Sequence, residues 1–171
     1  MRTETRKSLR QANAHHEAGH AVIAYALGYK PTSATIVPCR RVRGIVSYPN
    51  PLRGIKLDID GSDRARLRVE RAIQICLAGP LAQQHYRRSS WRGYHGGSDF
   101  DTARDLALHV CGSGEQATAF LRWLEITTRE RVETYWVYIA RVAALLLKRE
   151  SLTGQDILSA MRRRERARRS V

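Results

Sequence analysis

The amino-acid sequence predicts a mostly α-helical protein that also contains a small β-hairpin or sheet. Apolar residues recur at helical spacing through most of the 171 residues, which is the main sequence signal of amphipathic helices. Only two short runs, at 33–38 and 43–48, are rich in β-prone residues. The length and the hydrophobic fraction of 43% are typical of one globular domain with a substantial core. We therefore expect a single domain over residues 1–171.

The most apolar helix is predicted at residues 12–28, after a polar lead-in at 1–11. Its alanines are strong helix formers, and Asn13 can cap its N-terminus. After His20 nearly every residue is apolar, which predicts a helix buried at the centre of the fold. Because glycine in a helix interior costs about 1 kcal/mol relative to alanine, we expect Gly19 to mark a close approach of another segment.

The remaining elements follow in chain order. The runs SATIVP at 33–38 and RGIVSY at 43–48 flank an arginine-rich turn and predict a hairpin. An amphipathic helix is predicted from residue 63, and Gly79-Pro80 should kink or end it. Three further helices are predicted at 98–110, at 113–149 and from 153 toward 169, the last two opening with capping-box patterns.

The chain is strongly basic, with a formal net charge of +14. The basic tail at 161–171 contributes the most positive charge per residue, because six of its residues are arginine and one is glutamate. Such a balance favours nucleic acid, an anionic membrane surface or an acidic protein as partner. A solvated terminal helix without any partner is the equally weighted alternative.

Several classes of protein are disfavoured by the composition. No apolar run approaches the 18 residues of a transmembrane helix, and the N-terminus lacks the apolar segment of a secretory signal. The three cysteines are irregularly spaced and form neither a disulfide framework nor a zinc-finger pattern. Reduced cysteines are usual in the cytosol, so we expect a soluble, cytoplasmic protein.

Residues 16–20, HEAGH, carry the main chemical signal. Helix positions four apart share one face, so His16 and His20 can bind one metal ion from the same side. Glu17 lies beside the first histidine, where it can hold a water molecule and take its proton. This spacing is the HExxH pattern of zinc peptidases, and the alternative is a core helix with two histidines by accident. We expect His15, which points off that face, at the surface or in a supporting role.

A catalytic zinc site needs a third protein ligand and one open position. The longer HExxHxxGxxH pattern is not met, because Ile23 and Ala26 occupy its glycine and third-histidine positions. The strongest candidate is the glycine-flanked segment 97–101, GSDFD, at a predicted helix start. Asp99 and Asp101 are two residues apart and point about 200° apart on a helix, so only one of them can face the histidines.

Several segments together resemble the peptidase domain of FtsH-type proteases. The likeness runs in order over about residues 12–158. It comprises HEAGHAV at 16–22, TIVP at 35–38 followed by Gly44, LAG at 77–79 with Ala82, GSDFDTAR at 97–104 and LLKRESLTG at 146–154. Where that family has an arginine and then an acidic pair after LAG, this sequence has Pro80 and then Gln83-Gln84.

The resemblance implies a zinc metalloendopeptidase, with a zincin-like HExxH helix in a helical peptidase domain. It implies that Zn²⁺ is bound by His16, His20 and Asp99, and that Glu17 is the catalytic base. Since no GxxxxGK[ST] stretch occurs, we expect a stand-alone domain without the ATPase module. Its substrates would be flexible proteins or peptides, or proteins presented by a separate ATPase or unfoldase. The alternative is a catalytically retired peptidase scaffold acting as a basic nucleic-acid-binding or adaptor protein.

The second β-prone run is the candidate substrate-binding strand. In HExxH peptidases an edge strand beside the metal commonly pairs with extended substrate through backbone hydrogen bonds. The candidate residues are Gly44, Ile45, Val46, Ser47 and Tyr48. A hairpin with a purely structural role is about as well supported by the sequence.

Overall fold

A computed structural model describes residues 2–39, 43–57, 59–87 and 97–168, with side chains described between residues 8 and 162. These residues are mostly helical and contain a small antiparallel sheet, which confirms the predicted fold class at this level. The helices are α1 (Arg2–Ala26), α2 (Asp63–Tyr86), α3 (Ser98–Val110), α4 (Gly114–Thr134), α5 (Trp136–Arg149) and α6 (Gly154–Arg168). The strands are β1 (Ser33–Thr35), β2 (Ile45–Ser47) and β3 (Ser151–Thr153).

The polar lead-in and the apolar stretch form one continuous helix, the central helix α1. The prediction that Asn13 caps this helix is wrong, since Asn13 lies in its interior and donates to the backbone carbonyl of Arg43. Helix α1 ends where the sequence predicted its C-terminus. Gly28 has a φ of 94°, and the amide of Tyr29 donates to the carbonyl of Ala24 at 2.9 Å. This left-handed closure is typical of a glycine after the last helical turn.

Helix α2 continues through Pro80, where the sequence predicted a kink or an end. Proline has no N–H, so the carbonyl of Cys76 loses its usual intrahelical donor. Every residue of 77–82 is nevertheless buried, and close packing of this segment compensates for the missing bond. Ser62 caps the start of α2 by accepting from the amide of Ala65. The prediction from local propensity therefore ended α2 too early, because tertiary packing maintains the helix beyond Pro80.

The sheet has the strand order β2-β1-β3, with both pairs antiparallel. The β1–β2 hairpin was predicted, and Ala34 faces Val46 across it. Strand β3 was not predicted as a strand, and its Leu152 faces Ala34 from the other side. Strand β2 is consequently an edge strand of the sheet that the structure describes, on the side away from β3.

The C-terminal helices differ from the prediction at one point. A single helix was expected up to residue 149, but it is interrupted at Tyr135, which adopts φ −96° and ψ 10°. No glycine or proline lies there to signal the break. The capping box that opens α6 is present, because Thr153 and Asp156 exchange hydrogen bonds.

The core surrounds α1, whose residues from Ala18 to Ala24 are all buried. Helices α2 and α5 pack against α1, and α3 and α4 pack against α2. Within the described ranges, no helix combines the length and the apolar character that a membrane span requires. The arginine-rich turn at 40–42 and the side chains of 163–171, which include most of the basic tail, lie outside the described residues.

Candidate metal centre

Helix α1 and the start of α3 bring three predicted ligands together. His16 and His20 lie one turn apart on α1, and their Nε2 atoms are 3.1 Å apart. The Oδ2 atom of Asp99 is 3.1 Å from the Nε2 of His16 and 3.4 Å from that of His20. These three residues form a group whose ligand atoms could share one metal ion.

Helix α2 orients both imidazole rings through their other nitrogen. The Nδ1 of His16 donates to Oε1 of Gln83 at 3.1 Å, and the Nδ1 of His20 donates to the carbonyl of Ile75 at 2.7 Å. A carbonyl oxygen can only accept a hydrogen bond, so the proton of each neutral ring is on Nδ1. Each Nε2 therefore presents a lone pair toward Asp99, as a metal-binding histidine does.

The donor set fits a zinc ion. Two nitrogen lone pairs and a carboxylate oxygen converge, and such an arrangement needs a cation or a shared proton between the atoms to be stable. Zinc bonds of about 2.0–2.2 Å in a tetrahedron place the ligand atoms about 3.3–3.6 Å apart. The observed separations of 3.1 to 3.4 Å are close to that spacing. Three protein ligands leave one position of the tetrahedron open.

The structure places Asp99, and not Asp101, beside the histidines. Asp101 instead lies 3.4 Å from Arg104 on the exposed side of α3. Gly97 precedes α3 in extended conformation and delivers Asp99 to the site. The neighbouring Gly96 lies outside the described residues.

The close approach expected at Gly19 is present, but its partner is α2. A Cβ added at Gly19 would lie 2.6 Å from both the carbonyl oxygen of Ala78 and the Cβ of Ala82. Gly19 thus allows α1 and α2 to cross closely enough for α2 to orient the ligand rings.

Electrostatic interactions within the group shift two pKa values in opposite directions. Burial alone would raise the pKa of Asp99, but hydrogen bonds with His16 and His20, which form when a proton on Nε2 takes the place of a metal ion, hold it well below its ordinary value. Burial alone would lower the pKa of His20, but Asp99, Glu17 and the Ile75 carbonyl together raise it. Asp99 is therefore ionised at neutral pH, and a cation at this position neutralises it.

Glu17 lies beside this group and is only 5% exposed. Burial raises the pKa of its carboxyl group, and the nearby His20 and His16 oppose that increase. Gly44, just before β2, packs directly against it, because a Cβ built on Gly44 would lie 2.5 Å from Oε1 of Glu17. A buried carboxylate of raised proton affinity thus lies between the group of His16, His20 and Asp99 and the edge strand.

The predicted substrate strand lies where that prediction requires. Ile45 is 46% exposed and Val46 is half-buried against the core. Tyr48, just after β2, is partly buried, and burial together with Cys76 and Asp99 raises its pKa to about 12. Because Asp99 contributes to that increase, the phenol and the candidate metal site influence each other electrostatically. Whether residues 44–48 bind substrate stays a prediction.

Three features of the site were not found from the sequence. The acceptor for His16 is Gln83, and the acceptor for His20 is a backbone carbonyl, which no residue type can signal. Gly79 is required by packing, because a Cβ there would overlap the ring of His20. The sequence signals available here were the glycines at 19 and 79 and the histidines four residues apart. They indicate a close helix contact and a shared helix face, but not the groups that accept from the histidine rings.

His15 has a different place from the one expected. It is 8% exposed and its ring stacks on Tyr86, with centroids 3.8 Å apart, and faces Trp136 at 5.5 Å. Its Nδ1 donates to the carbonyl of Gln11, and burial lowers its pKa. The expectation of a surface or supporting role is wrong, because the ring is a packed part of the α1–α2–α5 contact.

Comparison with known proteins gives a partial similarity. No protein-family model matches the chain. The ATP-dependent zinc metalloprotease FtsH of Magnetococcus marinus is 34% identical over 112 residues. The match covers 64% of this chain, whereas it covers only 15% of that protein. The comparison therefore supports a relationship with FtsH over part of the chain.

Proposed function

We propose that this chain is a single zinc metallopeptidase domain over residues 1–171, a zinc-dependent endopeptidase whose metal ligands are His16, His20 and Asp99. The observation that carries the proposal is the convergence of two Nε2 lone pairs and one carboxylate oxygen beside a buried glutamate. The partial similarity to a protein named as a zinc metalloprotease supports the same chemistry. Helix α1 would then be the zincin-like HExxH helix of a helical peptidase domain.

Hydrolysis of a peptide bond needs an activated water molecule and a proton for the leaving amine. Bound Zn²⁺ would supply Lewis acidity, which polarises a carbonyl group and lowers the pKa of water to about 7. Glu17 accepts the proton of the attacking water on its carboxylate and delivers it to the amine nitrogen as the C–N bond breaks. Its raised pKa favours this role, because burial brings its proton affinity closer to that of a base acting near neutral pH.

The edge strand β2 provides a place for an extended peptide. The amide of Thr32 donates to the carbonyl of Ser47, so the backbone of Ser47 faces β1. Because neighbouring residues of a strand direct their backbone groups to opposite sides, the N–H and C=O of Val46 face the open edge. A peptide that adds there as a strand would pass Gly44 and therefore Glu17. Substrates would be flexible segments, or proteins presented by a separate ATPase or unfoldase.

Metal analysis combined with peptide cleavage tests the proposal. Purified wild type and Glu17→Gln should each contain about one zinc per chain, while only wild type cleaves casein or a peptide library, because an amide cannot accept the proton. Chains that bind no zinc, or a Glu17→Gln variant as fast as wild type, would contradict the mechanism. Zinc without cleavage by wild type, together with salt-dependent binding of nucleic acid, would favour the retired-scaffold alternative.

A further inference from the structure

We propose that Asn13 is a positioning residue that holds the start of the edge strand β2 against the catalytic base Glu17. This inference rests on the proposed peptidase function, because it assigns to Asn13 a part in aligning the substrate strand. Asn13 lies outside the 16–20 segment and touches none of the three metal-binding side chains in the hydrogen bonds described above.

The first contact joins α1 to the residue before the strand. The Nδ2 of Asn13 donates to the backbone carbonyl of Arg43 at 2.8 Å. Asn13 precedes Glu17 by four residues, so the two side chains lie on the same face of α1, one turn apart. Both therefore face the chain segment that leads into β2.

The second contact is made by the next residue along that segment. A Cβ built on Gly44 would lie 2.5 Å from Oε1 of Glu17 and 2.6 Å from its Cδ and Cγ. The backbone of Gly44 thus lies directly on the carboxylate, where any side chain would displace it. Consecutive residues, Arg43 and Gly44, are in this way fixed to consecutive turns of α1.

The hydrogen bond adds to the packing of Val46 against the core, because the sheet alone does not set the distance between the strand and α1. Strand β2 has only three residues and pairs with β1 on one side. That pairing fixes the register of Val46 against Ala34, but not the separation between the strand and α1. The hydrogen bond from Asn13 restrains the distance between β2 and α1. Its donor is neutral and therefore adds no charge beside Glu17.

The consequence concerns long peptides more than short ones. A peptide that pairs along β2 takes its position relative to Glu17 from the strand, so a displaced strand misaligns the scissile bond. A short peptide that does not reach Val46 is aligned by the metal-binding group and Glu17 alone. Loss of the Asn13 hydrogen bond should therefore affect long substrates selectively.

The test uses Asn13→Asp and Asn13→Ala in the full chain. Aspartate keeps the shape of asparagine but cannot donate a hydrogen bond when it is ionised. Alanine removes the donor without adding charge, and it is a strong helix former. Because one hydrogen bond contributes about 0.5–1.5 kcal/mol, we expect kcat/KM for peptides that span β2 to fall about threefold to tenfold. In Asn13→Ala the loss should come mainly from a higher KM, with zinc content unchanged and short peptides cleaved at the wild-type rate. Asn13→Asp also places a charge one turn from Glu17, so it serves for the exchange measurement below.

A second readout does not depend on cleavage. Amide hydrogen exchange of Ile45 and Ser47, whose backbone groups face β1, should become faster in both variants, while exchange in β3 stays the same. Asn50→Asp is the matched control, because it makes the same chemical change in an exposed turn where the side chain accepts from Leu52. It should alter neither strand exchange nor cleavage.

Separate outcomes would overturn the two proposals. Unchanged exchange in β2 together with unchanged cleavage of long peptides in Asn13→Ala would overturn the role of Asn13 and leave the peptidase function intact. A loss of zinc in proportion to activity would also overturn it, by showing a general structural role. A wild type that binds no zinc and cleaves nothing would refute the peptidase function, and the exchange measurement would still decide whether Asn13 holds the strand.

Discussion

The side-chain oxygen of Gln83 accepts a hydrogen bond from the Nδ1 of His16 across the α1–α2 contact, at 3.1 Å. This bond fixes the ring so that Nε2 points at Asp99. FtsH-type proteases, which the sequence resembles, have an acidic residue in the place of Gln83. A neutral amide can perform the same orientation, because an amide oxygen is a hydrogen-bond acceptor as a carboxylate oxygen is.

Replacing Gln83 by leucine should weaken zinc binding. The acceptor of the His16 Nδ1–H is lost, and removal of such partners typically costs 10- to 100-fold in metal affinity. Gln83→Glu should bind zinc at least as tightly as wild type, because a carboxylate is the stronger acceptor. Competition with a chromophoric chelator measures these affinities. Gln84→Leu is the control, and equal losses in both leucine variants would show that the effect is general destabilisation.

The identity of the third ligand can be decided by two alanine variants. Asp99→Ala should lose zinc affinity and peptidase activity together, because it removes the carboxylate oxygen that lies near the Nε2 atoms of both histidines. Asp101→Ala should keep its zinc and lose only about 0.3–1 kcal/mol from the first turn of α3. Zinc stoichiometry and thermal unfolding of both variants measure this. A zinc-replete Asp99→Ala beside a zinc-free Asp101→Ala would reverse the assignment.

Gly79 provides a test of how α2 supports the site. Alanine is about 1 kcal/mol better than glycine in a helix interior, so helix propensity alone predicts that Gly79→Ala is stabilising. The structure predicts the reverse, because the new methyl group would overlap the ring of His20. We expect a lower melting temperature and substoichiometric zinc.

Gly114 is the matched control for Gly79. It is also helical, and a Cβ there meets nothing within 4 Å. Gly114→Ala should therefore keep full zinc and wild-type stability or better. If Gly79→Ala behaves in the same way, the ring of His20 has room that the structure does not show.

The sequence was most informative where a local pattern determines the geometry. Histidines four residues apart on a helix must share a face, and the placement of His16 and His20 followed from that spacing alone. A carboxylate directly after a glycine corner identified Asp99 and Asp101 as the competing candidates. The choice between them depends on how packing against α2 orients the start of α3 toward His16 and His20, and no local pattern contains that information.

The features that were missed depend on contacts between distant segments. Strand β3 has one apolar residue among its three, and it forms a strand because β1 has an open side. Pro80 is tolerated because its segment is buried against other helices. His15 was misplaced because it points off the face of His16 and His20, whereas the rings of Tyr86 and Trp136 cover it there.

The junction between β3 and α6 should show a specific dependence on acid. Asp156 accepts from both the amide and the hydroxyl of Thr153, at 3.0 and 2.7 Å, and from Arg149 at 2.8 Å. Hydrogen bonds from Thr153, with a smaller contribution from Arg149, lower the pKa of Asp156 below its ordinary value of 3.8. The folded state therefore favours the ionised carboxylate.

Because the folded-state pKa lies below the unfolded one, the contribution of Asp156 to stability is present above about pH 4 and is lost as the pH falls through the folded-state value. Asp156→Asn removes the charge and keeps the shape, so its melting temperature should be below that of wild type at neutral pH. The difference should shrink as the wild-type carboxylate becomes protonated. Thermal unfolding of both proteins between pH 7 and pH 2 measures it, and a difference that stays constant over this range would mean that ionised Asp156 does not hold the junction.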